Sequence, residues 1–471
     1  MIAMTLAEVA AAAGGRLVEA DPAARVTGGV EFDSRNVGPG GLFVAFGGSR
    51  VDGHDYAAAA VSGGAVAVLG TRPVAGVPMV LVEDALTAMG RLARAVVDRL
   101  PELTVAGVTG SSGKTTTKDL VAQLLRRLGP TVAPAGSFNN ELGHPYTVLQ
   151  ANEATRFLAL EMGARGPDHI RYLCEIAPPR IGVVLNVGVA HIGEFGSVEA
   201  IAAAKGELVE ALPAAGVAVL NADDPRVRAM AERGRARVVL VGEAADADVR
   251  AVDVGLDERG RAAYTLVTSR GSVRVRLGVS GAHQVGNTLA AAAVALELGM
   301  PLAELAPALG ELRLMSSRRM DVFDRADGVT VIDDSYNANP ASTAAALRAL
   351  TDIGHGRRTI AVLGYLAELG AFERSGHEEV GRLAATLGVH RLFVVGEAAA
   401  PIRDGAETVG AWGGESVLVT DQSAAIAALR GELRAGDVVL VKGSRYRTWE
   451  VADALRSDHG PVGIAAGDGA A

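Results

Sequence analysis

The chain has 471 residues, of which 49% are hydrophobic and 21% are charged, and its formal net charge is -9 at pH 7. This length indicates more than one domain, and we expect three. The composition excludes extensive disorder, and the acidic balance argues against nucleic acid or an anionic membrane surface as a partner.

The N-terminal stretch MIAMTLAEVAAAAGGRLVEADPAARV predicts a short amphipathic helix followed by a strand. It has neither the basic segment nor the long apolar core of a signal peptide. No other run reaches the roughly 18 apolar residues that a membrane span requires. We therefore expect a cytoplasmic protein without membrane insertion.

Strand-like apolar runs alternate with helical patterns along most of the chain. The runs are TVAGVTG, FLALEMG, IGVVLNVG, VAVLNAD, TIAVLG, RLFVVG and DVVLVKGS. This alternation predicts mostly parallel sheets with helices on their faces, except that residues 245–280 look like antiparallel hairpins. Composition shifts near residues 82–86 and 315–320 predict domains at 1–83, 84–316 and 317–471.

Cys174 is the single cysteine of the chain. A lone thiol excludes an intramolecular disulfide and a cysteine-rich zinc site. We interpret it as a small buried side chain rather than a catalytic one.

The stretch VAGVTGSSGKTTTKDLVAQLL predicts a strand, a glycine-rich turn and a helix in that order. Backbone N–H groups of such a turn cradle a phosphate, Lys114 supplies charge for the outer phosphates, and the Thr115 hydroxyl can bind magnesium. The strict pattern GxxxxGK[ST] would need glycine at position 108, which is Val108, so the loop is a variant. We predict a nucleotide triphosphate site.

Several segments resemble the Mur ligase family of ATP-dependent amide ligases. GVTGSSGKTTTK is similar to the family's TGxxGKT loop, and FDSRNVGPGGLFVAFGGSRVDGHDY is similar to its UDP-binding domain. SFNNELGHPYTVL and DDSYNANPAS are similar to its NNxxGxPxT and YNANP segments. The resemblance covers nearly the whole chain. It implies an α/β fold with a small N-terminal UDP-binding α/β domain, a central P-loop domain with a mostly parallel sheet, and a C-terminal Rossmann-like α/β domain that binds the acceptor.

The segments are most similar to the branch of the family that joins D-alanyl-D-alanine to UDP-N-acetylmuramoyl-tripeptide in peptidoglycan precursor synthesis. The family's reaction phosphorylates a carboxylate with ATP to an acyl phosphate, which an amine then attacks, leaving ADP and phosphate. The resemblance implies ATP and Mg²⁺ as cofactors, and these small molecules (UDP-MurNAc-tripeptide, D-Ala-D-Ala and ATP) as the partners. We expect a monomer.

The resemblance also implies catalytic roles for Lys114, Glu161, His191 and Lys205, and a metal site formed by Thr115, Glu161, His191 and Lys205. Glu161 ends an apolar strand, where open parallel sheets place ligand groups, although a glutamate there can also cap the next helix. The predicted metal-binding role of His191 depends on the resemblance, because a loop histidine is more often structural or solvated.

Lys205, in AIAAAKGEL, poses a physical problem, because a protonated lysine is repelled by magnesium and has no lone pair to offer. Some Mur ligases carry a carbamylated lysine at this position, in which carbon dioxide has converted the amine to an anion. The alternatives are an unmodified lysine on a helix and a lysine that pairs directly with phosphate.

By the same resemblance, Asn287 would reach the adenine, Arg319 the phosphates and Asp334 the ribose. Their alternatives are a helix-surface amide, a linker cation and a helix cap or turn residue. With these three residues, the predicted ATP-binding set comprises Gly110, Ser111, Ser112, Gly113, Lys114, Thr115 and Thr116.

The resemblance also implies the substrate-binding residues. Ser34 offers a hydroxyl and Arg35 a bidentate donor, and both suit contacts with uracil or pyrophosphate. Asn139, Asn140 and Gly143 would extend the channel in the central domain. Lys442, Ser444 and Arg445 would lie near the carboxylate of D-alanyl-D-alanine, although a strand followed by GS is also an ordinary turn.

Two segments of the predicted acceptor domain depart from the pattern. VLGYLAELG has Tyr365 where an acidic residue is common and Leu366 in place of Met, and KGSRYRTWEV differs from the expected KxSRxxxxE. One alternative is therefore a related Mur-type or folylpolyglutamate-type ligase with another amino acid or dipeptide acceptor. A more distant alternative is a P-loop switch or motor ATPase without ligase chemistry.

Overall fold

The computed structural model of the chain describes residues 1–48, 51–444 and 446–457. Contacts divide the chain into two compact units. The first comprises residues 1–186, 202–249 and 289–301, and the second comprises residues 187–201, 250–288 and 302–471.

The first unit begins with a small α/β sheet in the order β2-β7-β6-β5-β4, in which β2 is antiparallel to β7 and the other pairs are parallel. The predicted N-terminal helix and the strand after it are confirmed. The elements are β1 (Met4–Thr5), α1 (Leu6–Ala13), β2 (Arg16–Val18), β3 (Arg25–Val26), β4 (Val30–Glu31), β5 (Gly41–Val44), α2 (Ala57–Ser62), β6 (Ala65–Gly70), β7 (Met79–Leu81) and α3 (Ala85–Asp98).

The next elements confirm the predicted βα alternation. They are β8 (Thr104–Thr109), α4 (Lys114–Arg126), β9 (Thr131–Val132), α5 (Gly143–Val148), β10 (Phe157–Glu161), α6 (His169–Ile176), β11 (Ile181–Val184), α7 (Ile192–Phe195), α8 (Val198–Glu210), β12 (Val217–Asn221), α9 (Pro225–Arg228) and β13 (Arg237–Gly242). Strands β13-β12-β11-β8-β10-β9 are parallel neighbours in this order. β8 lies between β11 and β10, so the strand order reverses there, and ligands of open sheets bind at the carboxyl ends of strands at such a point.

The central strands of this sheet are buried along their whole length and mostly apolar. Every residue of β8, β10 and β11 is buried. Parallel strands covered on both faces need such continuous apolar runs, which is why the sequence signal for them is strong. The single cysteine, Cys174, lies in α6 and is 4% exposed, and burial raises the pKa of its thiol to about 12. This agrees with its interpretation as a buried side chain.

The hairpins predicted for residues 245–280 are confirmed, because β14 pairs antiparallel with β15 and β15 with β16. The C-terminal sheet has the order β17-β18-β22-β19-β20-β21 and is parallel except for the β17–β18 pair. The elements are β14 (Val249–Leu256), β15 (Arg261–Thr268), β16 (Gly271–Ser280), α10 (Gln284–Glu297), α11 (Leu302–Glu311), β17 (Asp321–Asp324), β18 (Thr330–Asp333), α12 (Pro340–Gly354), β19 (Thr359–Leu363), α13 (Glu373–Thr386), β20 (Arg391–Val395), α14 (Pro401–Glu407), β21 (Glu415–Val419), α15 (Gln422–Glu432), β22 (Val438–Lys442) and α16 (Trp449–Ser457). No helix in the described ranges is both long and apolar enough to cross a membrane.

Candidate active site

The glycine-rich loop lies between β8 and α4, as predicted. Gly113 has a φ of 81°, which glycine adopts without strain. Gly110 packs so closely on Leu185 that a Cβ would come within 2.9 Å of its side chain. Lys114 begins α4, and its Nζ donates to the carbonyl oxygen of Gly110 at 2.8 Å. A glycine-rich turn with a lysine at a helix N-terminus is the arrangement that binds phosphate groups.

Asn186, which the sequence analysis did not select, holds this loop from the end of the neighbouring strand. Its Oδ1 accepts from the N–H of Ser112 at 2.9 Å, and its Nδ2 donates to the Ser112 carbonyl at 3.1 Å. Its own carbonyl accepts from the N–H of Ser111 at 3.0 Å. A polar residue directly after the apolar run IGVVL was the available signal.

Glu161 lies at the carboxyl end of β10, next to β8, and is 1% exposed. Its Oε2 accepts from the Thr115 hydroxyl at 2.8 Å. Its Oε1 accepts from the Ser137 hydroxyl at 2.8 Å and from Nδ2 of Asn139 at 2.6 Å. The next helix, α6, begins at His169, so Glu161 is not a helix cap. The structure thus brings Thr115 and Glu161, both predicted for the metal site, into contact, and it adds Ser137 and Asn139, of which Asn139 had been assigned to the substrate channel.

The donor atoms in this cluster suit magnesium. Mg²⁺ prefers oxygen ligands, and the Thr115 hydroxyl and Glu161 carboxylate provide two in mutual contact. Among the described residues, no group of three or more His, Cys, Asp and Glu side chains could hold a metal ion by itself. A site at Glu161 would therefore depend on other ligands such as substrate phosphates, which is usual for magnesium.

Lys205 lies on α8 and is 4% exposed. Burial, with a smaller contribution from the charge of Lys114, lowers the pKa of Lys205 to about 7. The helix around it is held by Arg233, which donates to the Ala202 carbonyl at 3.1 Å. The same guanidinium lies across Gly206, where a Cβ would be 1.9 Å from it. The burial of Lys205 favours its uncharged amine.

The predicted substrate residues Asn140 and Gly143 have contacts within the protein. The Asn140 side chain accepts from the N–H of Gly143 at 2.9 Å at the start of α5. A Cβ at Gly143 would lie 2.7 Å from Phe138, so close packing alone explains this glycine. His144 follows and is fully buried, and burial lowers its pKa to about 4.

An aromatic group that the sequence analysis did not select lies beside these residues. The ring of Tyr146 is 4.9 Å from that of Phe32 and 5.8 Å from that of Phe138, between centroids, and Phe46 is 6.3 Å from Phe32. The Tyr146 hydroxyl donates to Glu31 at 3.0 Å. Burial raises the pKa of Glu31 and raises that of Tyr146 to about 12. Such a half-buried aromatic surface can stack against a planar base.

Ser34 and Arg35 follow Phe32 and Asp33 in the chain. The guanidinium of Arg35 folds back onto Asp33, with Nη2 2.6 Å from Oδ2, while its side chain remains 85% exposed. Hydrogen bonds from Arg35 lower the pKa of Asp33 to about 2. The guanidinium is exposed but bound to Asp33, so an anion at the predicted uridine site would compete with that carboxylate.

His191 lies in the second unit. Its Nδ1 is 2.5 Å from Oε2 of Glu368, which follows β19 in the GYLAELG loop. The Glu368 carbonyl also accepts from the N–H of Gly193 at 3.2 Å. A carboxylate bound to one nitrogen of a histidine orients the other, a common arrangement behind metal-binding histidines. Glu368 was not selected from the sequence, which contains no local sign of the contact.

The residues predicted around ribose and acceptor meet at the carboxyl ends of β18 and β22. Asp334 accepts from the Met320 N–H at 3.0 Å and from Nζ of Lys442, which is 2% exposed. Lys442 also donates to the Asn337 carbonyl at 2.9 Å. The structure therefore joins Asp334 and Lys442, which the sequence analysis assigned to different ligands.

Arg319 and Asn287 are the remaining predicted ATP residues of the second unit. The Arg319 guanidinium lies 4.1 Å from the centroid of the Tyr336 ring, a cation–π contact. Asn287 is 7% exposed and donates to Gln284 at 2.9 Å, so it is not a surface amide.

Ser444 forms two hydrogen bonds with the loop after β19. Its hydroxyl donates to the Tyr365 carbonyl at 3.0 Å and accepts from the Ala367 N–H at 2.9 Å. The Tyr365 hydroxyl donates to Glu373 at 2.7 Å, and Nε2 of the buried His377 accepts from the Leu366 N–H at 2.9 Å. The predicted Arg445 lies outside the described residues.

Comparison with known proteins identifies the class to which this fold and P-loop site belong. Three family models match the chain: "Mur ligase family, catalytic domain" at residues 27–97, "Mur ligase middle domain" at 108–295 and "Mur ligase, glutamate ligase domain" at 318–445. The chain belongs to the Mur ligase family.

Individual relatives are similar over nearly their full length. A UDP-N-acetylmuramoyl-tripeptide–D-alanyl-D-alanine ligase of Mycobacterium tuberculosis is 50% identical, with 97% of this chain and 98% of that protein covered. The Escherichia coli protein of that name is 34% identical, with 96% and 97% covered. A crystal structure of MurF from Acinetobacter baumannii has a TM-score of 0.87 at 30% identity, covering 96% of this chain and 99% of that one. A MurF ligase from Thermotoga maritima in complex with ADP has a TM-score of 0.80 at 30% identity, covering 91% and 97%.

Proposed function

We propose that this chain joins D-alanyl-D-alanine to UDP-N-acetylmuramoyl-tripeptide in peptidoglycan precursor synthesis, with conversion of ATP to ADP and phosphate. The observation that carries this proposal is the 50% identity, over nearly the whole chain, to ligases named for this reaction. The P-loop and the buried Glu161 cluster support it, because they provide a phosphate cradle beside oxygen ligands. We further propose that the enzyme acts in the cytoplasm as a monomer.

The γ-phosphoryl group would lie over the P-loop. Lys114 and the loop N–H groups would hold the phosphates and compensate the charge that moves during transfer. The substrate carboxylate attacks the γ-phosphorus, the bond to ADP breaks, and an acyl phosphate forms. The dipeptide amine, having lost a proton, then attacks the carbonyl carbon, and phosphate leaves.

Magnesium fits the Glu161 cluster, and Thr115 and Glu161 would hold it there. When bound, the ion neutralises phosphate charge during transfer. We propose His191 as a further ligand, oriented by Glu368. Asn287, Arg319 and Asp334 remain the residues proposed for the adenine, the phosphates and the ribose.

We also propose that Lys205 is carbamylated. A free amine adds to carbon dioxide, forms an N–C bond and releases one proton, leaving a carbamate anion. Burial of Lys205 beside the charge of Lys114 supports this proposal, because it favours the uncharged amine and an anion near that cation. Loss of metal-dependent activity in Lys205→Ala, restored by short-chain carboxylic acids, is the expected result, and failure of every acid to restore it would count against the carbamate.

The uridine end of the substrate is proposed to bind Ser34 and Arg35, with the aromatic surface of Phe32 and Tyr146 beside them. Asn139, Asn140 and Gly143 would shape the channel from there to Glu161. At the acceptor end, Ser444 supports the Tyr365 loop, and we propose that this loop contacts the dipeptide.

Three domains are proposed, at 1–83, 84–316 and 317–471. Asp84 caps α3 by accepting from the Thr87 N–H at 2.7 Å, so a new helix begins at the first limit. The second limit falls in the segment between α11 and β17. Limited proteolysis should cut at or near residue 316.

The function is tested by phosphate release from ATP and Mg²⁺ with UDP-MurNAc-tripeptide, with and without D-alanyl-D-alanine, and with a panel of amino acids and other dipeptides. We expect release that depends on both the UDP-peptide and D-alanyl-D-alanine. Preference for another amine would reassign the acceptor, and release without any UDP-peptide would contradict a ligase. Lys114→Met, prepared identically, is the control for contaminating ATPases.

A further inference from the structure

A second lysine of α4, Lys118, lies one helical turn after Thr115. Residues three apart share a helix face, so Lys118 and Thr115 point to the same side of α4. Lys118 is fully buried. Its Nζ forms an ion pair with Asp119 and donates to the carbonyl oxygen of Pro134 at 2.6 Å.

Burying an ammonium group carries a large desolvation cost. Well-packed apolar residues often replace a buried ion pair without loss of stability, so stability alone does not account for the pair. The bond to Pro134 does something that an apolar side chain cannot, because it fixes the position of a backbone carbonyl. That carbonyl lies in residues 133–142, here named the Glu161 loop, between β9 and α5.

The Glu161 loop touches the candidate active site at its other end. Ser137 and Asn139 both donate to Oε1 of Glu161, at 2.8 and 2.6 Å. Oε2 of Glu161 accepts a hydrogen bond from Thr115, which lies in the first turn of α4. The contacts form a closed ring from α4 through Lys118 to the loop, from the loop to Glu161, and from Glu161 back to α4.

We propose that Lys118 is a positioning residue that places the Glu161 loop so that Ser137 and Asn139 hold the Glu161 carboxylate. The role of Glu161 toward magnesium rests on the proposed function, whereas the placement of the loop does not. Phe138 and Asn140 belong to the same loop, and Phe138 lies against Tyr146. Lys118 therefore also positions the side of the channel proposed for the UDP-linked substrate.

The test uses Lys118→Met/Asp119→Asn in the full-length protein. This double variant removes the bond to Pro134 without leaving a buried carboxylate unpaired, so it is expected to fold. Gln123→Leu is the control on the same helix, because the Gln123 side chain donates to the Asp119 carbonyl at 3.1 Å, a bond that stays within α4. Lys118→Met alone is made for comparison.

The first measurement is hydrogen–deuterium exchange. In the double variant we expect amides of residues 133–142 to exchange at least 10-fold faster, with little change in residues 114–126. The second measurement is steady-state kinetics, in which the KM for UDP-MurNAc-tripeptide and the Mg²⁺ concentration for half-maximal rate should each rise about 5- to 10-fold. The dissociation constant of ADP, which depends on the P-loop, should change less than 2-fold.

Wild-type exchange in residues 133–142 of the double variant would overturn the proposal, and so would unchanged KM and Mg²⁺ dependence in an active enzyme. If the wild type itself releases no phosphate with these substrates, the proposed function fails, and the exchange measurement still decides the role of Lys118. A general rise in exchange over the whole first unit would indicate a purely structural role and would also overturn it.

Discussion

The two compact units hold their polar groups in different ways. Around Glu161, in the first unit, the groups come from the end of a fully buried strand, the first turn of α4 and one short loop. In the second unit, His191 and Glu368 have φ angles of 61° and 65°, in a region that is costly for residues other than glycine. Tyr365 and Asp334 also lie in loops. The first site is therefore anchored by a strand and a helix with one loop against them, whereas more of the second site's groups lie in loops.

The largest effect is expected from a substitution in the Glu161 cluster of the first unit. Glu161→Gln keeps the size of the side chain and removes its charge, and we expect kcat to fall about 10³-fold, or about 4 kcal/mol in the transition state. Phosphate release measures this, with Glu175→Gln on α6 as the matched control. Activity within 10-fold of wild type would mean that Glu161 is not a metal ligand.

The next largest effect is expected from a substitution that disrupts the Asp334–Lys442 ion pair of the second unit. Lys442→Met leaves the Asp334 carboxylate without its buried cation, which should lower the free energy of unfolding by about 3 kcal/mol. Urea unfolding measures it, and Arg434→Met, an exposed change just before β22, should stay within about 0.5 kcal/mol. Equal stability of the two variants would show that Asp334 does not need Lys442.

A pH titration sharpens the comparison for the first unit. The pKa of His144 is about 4 in the folded chain because of burial, and about 6.5 when unfolded. Above pH 6.5 both states are neutral. As the pH falls from 6.5 to 4 the unfolded chain takes up the proton first, so wild type should lose about 3 kcal/mol relative to His144→Leu. Parallel pH profiles of the two proteins would rule out this burial.

The smallest effect concerns the Tyr365 loop, which we propose contacts the dipeptide. Tyr365→Phe removes only the hydroxyl that donates to Glu373. Because this bond is partly exposed, we expect a 2- to 5-fold rise in KM for D-alanyl-D-alanine, about 1 kcal/mol or less. The KM for ATP should not change. A change of equal size in both constants would indicate general loosening rather than a role at the acceptor.

The sequence was most informative where one residue follows a strand or opens a helix. Glu161 and Lys114 could be predicted because an apolar run or a glycine-rich turn next to them fixes their place at a sheet edge. Ser137 and Glu368 could not, because their roles depend on contacts between segments that are distant in the chain. Asn186 follows an apolar run and so had a local signal, but its contact with the glycine-rich loop did not.

Some residues were predicted as site residues from matched segments, and the structure shows additional packing or ionic contacts for them. Gly143 belongs to a matched segment, yet its contact with Phe138 already requires a glycine. Lys442 and Asp334 belong to two segments about a hundred residues apart, and only the order of β18 and β22 in the sheet brings them together.

The burial of Cys174 makes the chain a convenient starting point for labelling. Its thiol is 4% exposed and has a pKa of about 12, so it contributes almost no reactive thiolate at neutral pH. A cysteine introduced at an exposed position would then react alone, without first removing the native one. Pairs of such cysteines, carrying fluorophores or spin labels, would report distances between the two units as nucleotide and substrates are added.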